Sequence, residues 1–167
     1  QHSLQVANLA TEAAKIINAN VLLTRTGALY HDIGKMEHPF YFTENQLVNS
    51  NPLAQKDFEE AAQIIISHVA DGTKIAEKNN LPSQVIDFIR THHGMSKTRF
   101  FYNSFKNTYP DKEINEEAFS YKGPLPNTKE TAIVMMADAV EATSKSLPEH
   151  SEESIDKMVE KVIDSQI

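Results

Sequence analysis

Ala28-Leu29-Tyr30-His31-Asp32-Ile33-Gly34-Lys35 sets a histidine beside an aspartate, directly after an apolar run and directly before a glycine. The periodic segment that begins at Val21 and meets a glycine at its end predicts a helix stopping near Ile33, with Gly34 as a left-handed cap. Neighbouring side chains on a helix point about 100° apart, so a single metal ion would strain to take both His31 and Asp32. Two ions roughly 3.5–4 Å apart could instead share the Asp32 carboxylate, with His31 on one of them. Taken alone, such a pair is more often a hydrogen-bonded helix end than a metal site. The rest of the chain decides the matter.

Working outward, His2 to Ala19 carries Val6, Leu9, Ala13, Ile16 and Ile17 at helical spacing, with His2 at the head of the stripe. Asn20 is placed to cap the helix that follows. Met36 to Lys56 holds Pro39, Pro52 and three aromatic residues and reads as a long ordered loop. A helix from Asp57 to Val69 and a short one from Asp71 to Asn79 are predicted next. Pro82 opens a further helix that leads through Val85, Ile86 and Ile89 to His92 and His93, with Gly94 at the stop. Thr98 to Tyr109 is aromatic-rich and helical, with Phe100 and Phe101 expected in the core. A second long connection, 111–127, precedes a helix from Thr128 to Leu147, and Ser151 starts a last amphipathic helix. No strand alternation, repeat or low-complexity tract is visible. The expected fold class is all-α, a helical bundle formed by one domain over residues 1–167.

Bulk properties narrow the chemistry. The chain has no cysteine, which excludes disulfides and thiolate-bound zinc. A net charge of −7 argues against a general basic surface for a nucleic acid polymer, while a local basic pocket stays possible. No apolar run reaches the length of a membrane span. The sequence lacks an initiator Met and has a histidine at its second position, so a domain cut from a longer protein is expected.

Five of the seven histidines, His2, His31, His68, His92 and His93, lie on or at the end of an apolar helical stripe. One such histidine is ordinarily a core residue. Five from four helices would be a costly way to build a core. Asp138 is sharper evidence, since it shares a stripe with Val134, Met135 and Ala142, and a buried carboxylate needs a partner or a metal. Imidazole and carboxylate donors without sulfur suit iron, manganese, zinc or nickel. His2, His31, Asp32, His68, His92, His93 and Asp138 therefore make a ligand set large enough for two ions sharing Asp32. His38 and His150 sit in polar contexts and receive no role.

The order His, His-Asp, His, His-His, Asp on successive helices resembles the HD-domain metal-dependent phosphohydrolases, in their two-metal branch. His31-Asp32-Ile33-Gly34-Lys35, Ser67-His68-Val69 with Asp71-Gly72, His92-His93-Gly94, Phe101-Tyr102, Tyr121-Lys122-Gly123-Pro124 and Ala137-Asp138-Ala139-Val140-Glu141-Ala142 resemble the cytoplasmic domain of the seven-transmembrane HD family. That family includes membrane-anchored cyclic di-AMP phosphodiesterases of bacteria. Met95 stands where the family carries Thr, and the 36–56 loop matches it less closely. Gly94-Met95-Ser96-Lys97 after the histidine pair differs from the Gly-Tyr-Pro signature of the branch that opens cyclic di-GMP.

The resemblance implies a domain on the cytoplasmic side of a membrane-anchored parent, with a cyclic dinucleotide as substrate and two divalent transition metal ions, iron or manganese, as cofactors. It places one ion on His2, His31, Asp32 and Asp138 and the other on Asp32, His68, His92 and His93. It also implies hydrolysis of cyclic di-AMP to linear 5′-pApA by a hydroxide bridging the two ions. Lys35, three residues past Asp32, is the expected phosphate contact, and Arg99 with Tyr102, one helical turn apart, could hold a second phosphate or a base. Rival readings are a phosphohydrolase of another nucleotide, a di-iron oxygenase and a non-catalytic sensor.

Overall fold

Side-chain oxygens start four of the helices. Asn20 accepts the Leu23 N–H at 3.0 Å, Asp57 that of Glu60 at 2.7 Å, Thr128 that of Thr131 at 3.1 Å and Ser151 that of Ser154 at 3.4 Å. Each bond satisfies one of the amides that a helix N-terminus leaves without a partner. The computed structural model describes residues 1–46 and 52–166. Among them are seven α-helices: α1 (His2–Ile16), α2 (Val21–Tyr30), α3 (Phe58–Lys78), α4 (Ser83–Thr91), α5 (Arg99–Thr108), α6 (Lys129–Ser144) and α7 (Glu152–Asp164). The described residues form no strand, only an isolated bridge between Lys97 and Ser120. The chain is all-α, as the periodicity predicts. Among the described residues no helix is long and apolar enough to cross a membrane.

The helix carrying the His-Asp pair ends earlier than its pattern predicts. α2 stops at Tyr30, and Ile33–Met36 forms a separate 3₁₀ turn, so Asp32 lies in the short link between them. Gly34 does not take the left-handed conformation expected of it, whereas Gly94 does, at φ +51°. Gly34 is small for a different reason. A Cβ there would run into the carbonyl oxygen of His68 and come within 2.5 Å of the Gly72 nitrogen.

The same contact explains why α3 is one helix and not two. The break expected before Asp71 is absent, and Gly72 sits inside the helix, where a Cβ would lie 2.9 Å from the Ile89 side chain. A mid-helix glycine costs about 1 kcal/mol against alanine. Here that cost is offset by letting α3 lie directly on the Ile33–Met36 turn, beside α4 and α5.

Close approach also governs α1, which packs on α2 and α6. Its buried face is His2, Val6, Ala7, Ala10 and Ala14, while Leu9, Ile16 and Ile17 from the predicted stripe are exposed. Small side chains let three helix axes come together, and the bulkier ones are rotated outward. On α6 the buried set is Thr131, Ile133, Val134, Met135, Ala137, Asp138 and Glu141, and the predicted Ala142 is exposed. Phe100 is not core either, at 73% exposure, although Phe101 is half-buried.

Within the 36–56 connection the described residues form 3₁₀ turns at Pro39–Tyr41 and Thr43–Asn45 and a turn over 52–55; residues 47–51 of that predicted loop lie outside the described residues. The last helix ends at Asp164, and the final predicted residue, 167, is likewise outside them. The 111–127 connection is anchored by Phe119, whose carbonyl accepts the Thr98 N–H at 2.8 Å, and by Tyr121, whose N–H donates to Ser96 at 2.9 Å. These bonds deliver the Tyr121 ring to the histidine pair after α4.

Candidate metal centre

Three of the histidines are oriented by their own helices. Nδ1 of His31 lies 2.6 Å from the Ala28 carbonyl, that of His68 2.6 Å from Ile65 and that of His92 2.8 Å from Ile89, each three residues back. A carbonyl can only accept, so Nδ1 carries the hydrogen and Nε2 is turned into the interior of the cluster. This is the arrangement by which backbone acceptors fix ligand imidazoles around a metal. His2 is oriented differently, by Glu141 Oε2 at 2.6 Å from its Nδ1.

All these Nε2 atoms converge on one carboxylate. Asp32 Oδ2 lies 3.2 Å from His2 Nε2 and 3.3 Å from His31 Nε2, while Oδ1 lies 3.4 Å from His68 Nε2 and 3.6 Å from His92 Nε2. Asp138 Oδ1 stands 3.0 Å from His2 Nε2 and 3.6 Å from His31 Nε2, and its Oδ2 is 3.7 Å from His93 Nδ1. His68 and His92 face each other through Nε2 atoms 3.1 Å apart. His93 stacks on Tyr121, with ring centroids 4.1 Å apart. The donors thus fall into two halves, His2, His31 and Asp138 on one side and His68, His92 and His93 on the other, with Asp32 between them.

The electrostatics of this cluster are those of a site built for cations. Burial opposes the charged form of His2 and of His31, yet the adjoining carboxylates of Asp32 and Asp138 outweigh it and raise them to about 9 and about 10. His92 and His93 are pushed down, chiefly by burial and then by neighbouring imidazoles. Asp32 and Asp138 are held well below the usual carboxylate range, against the effect of their burial, by the surrounding histidines. The buried Nε2 atoms of His2 and His31 have no hydrogen-bond partner. Buried nitrogens and carboxylate oxygens crowded together without well-formed hydrogen bonds make an N/O donor cluster that fits divalent metal ions and suits nothing apolar.

A cleft of about 760 Å³ opens over the first half, lined by His2, Ser3, Asp32, Lys35, Glu44 and Lys145 among others. Lys35, largely buried, places its ammonium 2.6 Å from Asp32 Oδ2 and 2.7 Å from Glu44 Oε1, and both carboxylates raise its pKa despite burial. The residues predicted as ligands are therefore all brought together, with Lys35 beside them. Arg99 and Tyr102 are not. They line a separate cavity with Met95, Ser96 and Lys97, where the Tyr102 hydroxyl donates to Glu116 at 3.1 Å. His38 and His150 are exposed.

The sequence reading gave no role to Glu141, Glu44, Lys145 or Tyr121. Glu141 carried a usable signal, since it lies three residues past Asp138 and must share its face of α6. Glu44 and Lys145 carried none, because loop geometry and a helix end bring them to the cleft.

A model of the HD domain family matches residues 1–143. The chain is 43% identical over 162 residues to the cyclic-di-AMP phosphodiesterase PgpH of Listeria monocytogenes, and 40% identical over 166 residues to that of Bacillus subtilis. These alignments cover 97% and 99% of this chain but 22% and 23% of the relatives, so the chain spans less than a quarter of their length. The crystal structure of the L. monocytogenes PgpH HD domain in complex with cyclic-di-AMP matches at a TM-score of 0.92 and 42% identity, over 99% of this chain and 76% of that one.

Proposed function

The chain belongs to the HD domain family, and we propose that it is a two-metal phosphodiesterase that opens cyclic di-AMP to linear 5′-pApA. The observation that carries this reading is Asp32, whose two oxygens face opposite halves of the donor cluster, Oδ2 toward His2 and His31 and Oδ1 toward His68 and His92. His2, His31, Asp32 and Asp138 would hold one ion, and Asp32, His68, His92 and His93 the other. Two such ions supply an activated water and a clamp for phosphoryl oxygens. Iron or manganese is the choice proposed for this sulfur-free donor set.

The chain's own groups account for the rest. Lys35 lines the cleft beside Asp32 and is charged across the physiological range, so its ammonium can pair with a phosphate that enters. Glu44 holds it in place meanwhile. Lys145 adds a second positive charge at the wall of the same cleft. Arg99 and Tyr102 are assigned the outer part of a dinucleotide, since their cavity includes the Met95–Lys97 link that follows the histidine pair. Hydrolysis adds water across one P–O3′ bond, leaving a 5′-phosphate on one nucleotide and a 3′ hydroxyl on the other. The adenine preference is supported by the identity to the two PgpH enzymes and by the neighbouring structure with cyclic-di-AMP. A membrane-anchored parent with this domain on its cytoplasmic side belongs to the same proposal and rests on the resemblance to the seven-transmembrane HD family.

The test is anaerobic incubation with manganese or ferrous iron and a panel of cyclic dinucleotides and other nucleotides, followed by chromatography. Conversion of cyclic di-AMP to 5′-pApA is the expected result. Consumption of another nucleotide with cyclic di-AMP intact would overturn the substrate. No cleavage with two ions bound would overturn the activity.

A further inference from the structure

Glu141 is a buried carboxylate on the same face of α6 as Asp138. Its Oε2 lies 2.6 Å from His2 Nδ1 and 2.9 Å from Lys145 Nζ. The other histidines with a fixed Nδ1 use a carbonyl three residues back, whereas the Nδ1 of His2 meets this side-chain carboxylate instead. The acceptor for His2 comes from the far end of the sequence, across the α1–α6 contact.

We propose that Glu141 is the positioning residue for one half of the metal centre. By accepting the His2 Nδ1 hydrogen it holds the imidazole in the single tautomer and orientation that aim Nε2 at Asp32 and Asp138. A carboxylate acceptor makes a stronger bond than a carbonyl and increases the basicity of the ring it holds. Helix α6 therefore serves the same ion twice, with Asp138 as a ligand and Glu141 as the group that orients another ligand. Lys145 offsets the buried negative charge. The His68, His92 and His93 half has no such dependence, since among the described residues its imidazoles pair with the Ile65 and Ile89 carbonyls, with one another and with Asp32 and Asp138, not with Glu141 or Lys145. Loss of Glu141 should consequently weaken one ion and spare the other.

This inference rests on the two-metal reading, and the experiment separates the two. Manganese titration followed by electron paramagnetic resonance of the free ion gives stoichiometry and affinities without any activity assay. Wild type should bind two ions. Glu141→Met keeps the volume and loses the acceptor, and it should weaken one ion by about 10–100-fold while leaving the other unchanged. Glu141→Gln keeps an oxygen that can accept the Nδ1 hydrogen, and it should restore most of that loss. Melting in chelator shows whether each variant folds. Should Glu141→Met not fold, Glu141→Asp is the deciding variant, because it keeps the charge but withdraws the oxygen by one methylene, and it too should weaken one ion. Wild-type affinity for both ions in the folded acceptor-removing variant overturns the proposal. So does equal weakening of both ions, or a loss in Glu141→Gln as large as in Glu141→Met. Fewer than two ions on wild type would overturn the two-metal reading itself.

Discussion

Gly34 and Gly72 meet backbone against backbone, so close that a Cβ on Gly34 would lie 2.5 Å from the Gly72 nitrogen. The contact locks the turn after Asp32 onto α3 one helical turn past His68, and so sets the spacing between the two halves of the site. Gly34→Ala cannot be accommodated by a side-chain shift, because both obstacles are backbone. It should destabilise the protein by about 3 kcal/mol or more in denaturant titration. Gly72→Ala mainly meets the Ile89 side chain, at 2.9 Å, and should cost less. Equal losses for the two would show that the backbone contact is not the constraint.

Asp32 faces two imidazoles in each half of the donor cluster, at 3.2 and 3.3 Å and at 3.4 and 3.6 Å, whereas Asp138 meets the second half only at His93, at 3.7 Å. Asp32→Ala should therefore strip both ions and reduce hydrolysis to background. His68→Ala should leave one ion in place, and His38→Ala, at an exposed position, should change neither metal content nor rate. Metal analysis after buffer exchange checks all three. Two ions per chain on Asp32→Ala would refute the shared ligand.

Metal removal and pH are linked. His2 and His31 in the metal-free fold are raised from 6.5 to about 9 and about 10, so the stability they contribute is fully present below 6.5 and is lost as pH rises through those values. His92 and His93 are lowered, so stability falls as pH drops below 6.5, where the unfolded chain gains protons that the fold refuses. The chelated protein should be most stable near pH 6.5 and weaken on either side. Ions on Nε2 replace the protons there, which removes the alkaline decline. Melting temperatures with and without chelator should thus diverge from pH 6.5 upward, with a gap of about 5–10 °C when free metal is 100-fold above its dissociation constant. Parallel pH curves would contradict this.

Lys35 touches Asp32 and Glu44 but none of the imidazoles that complete the donor set. Lys35→Met should retain both ions and lower kcat/KM by about 100-fold, the loss expected when one charge aimed at a phosphoryl group is removed. Glu44→Gln frees the ammonium from one partner and should have a smaller effect. Loss of metal in Lys35→Met would instead make Lys35 a structural partner of Asp32.

Residue identity and spacing alone determined the all-α class, four of the helix starts and the seven His and Asp side chains that the fold brings together. Those features are local, or they repeat at the helical period, and both kinds of signal are written along the chain. Hydrophobic period also located His31, His68, His92 and Asp138 on buried faces. It misjudged α1, where Ala7, Ala10 and Ala14 face the core and Ile16 is 80% exposed, because helix proximity can outweigh side-chain size. It split α3 between Val69 and Asp71 and capped α2 with Gly34, since nothing local says that two distant glycines, Gly34 and Gly72, touch. Only the tertiary structure decided which Asp32 oxygen faces which half, that Glu141 orients His2 across the α1–α6 contact, and that Arg99 and Tyr102 line a separate cavity. Each of these depends on a distance between helices, a quantity set by how whole side-chain surfaces interlock and carried by no single stretch of sequence.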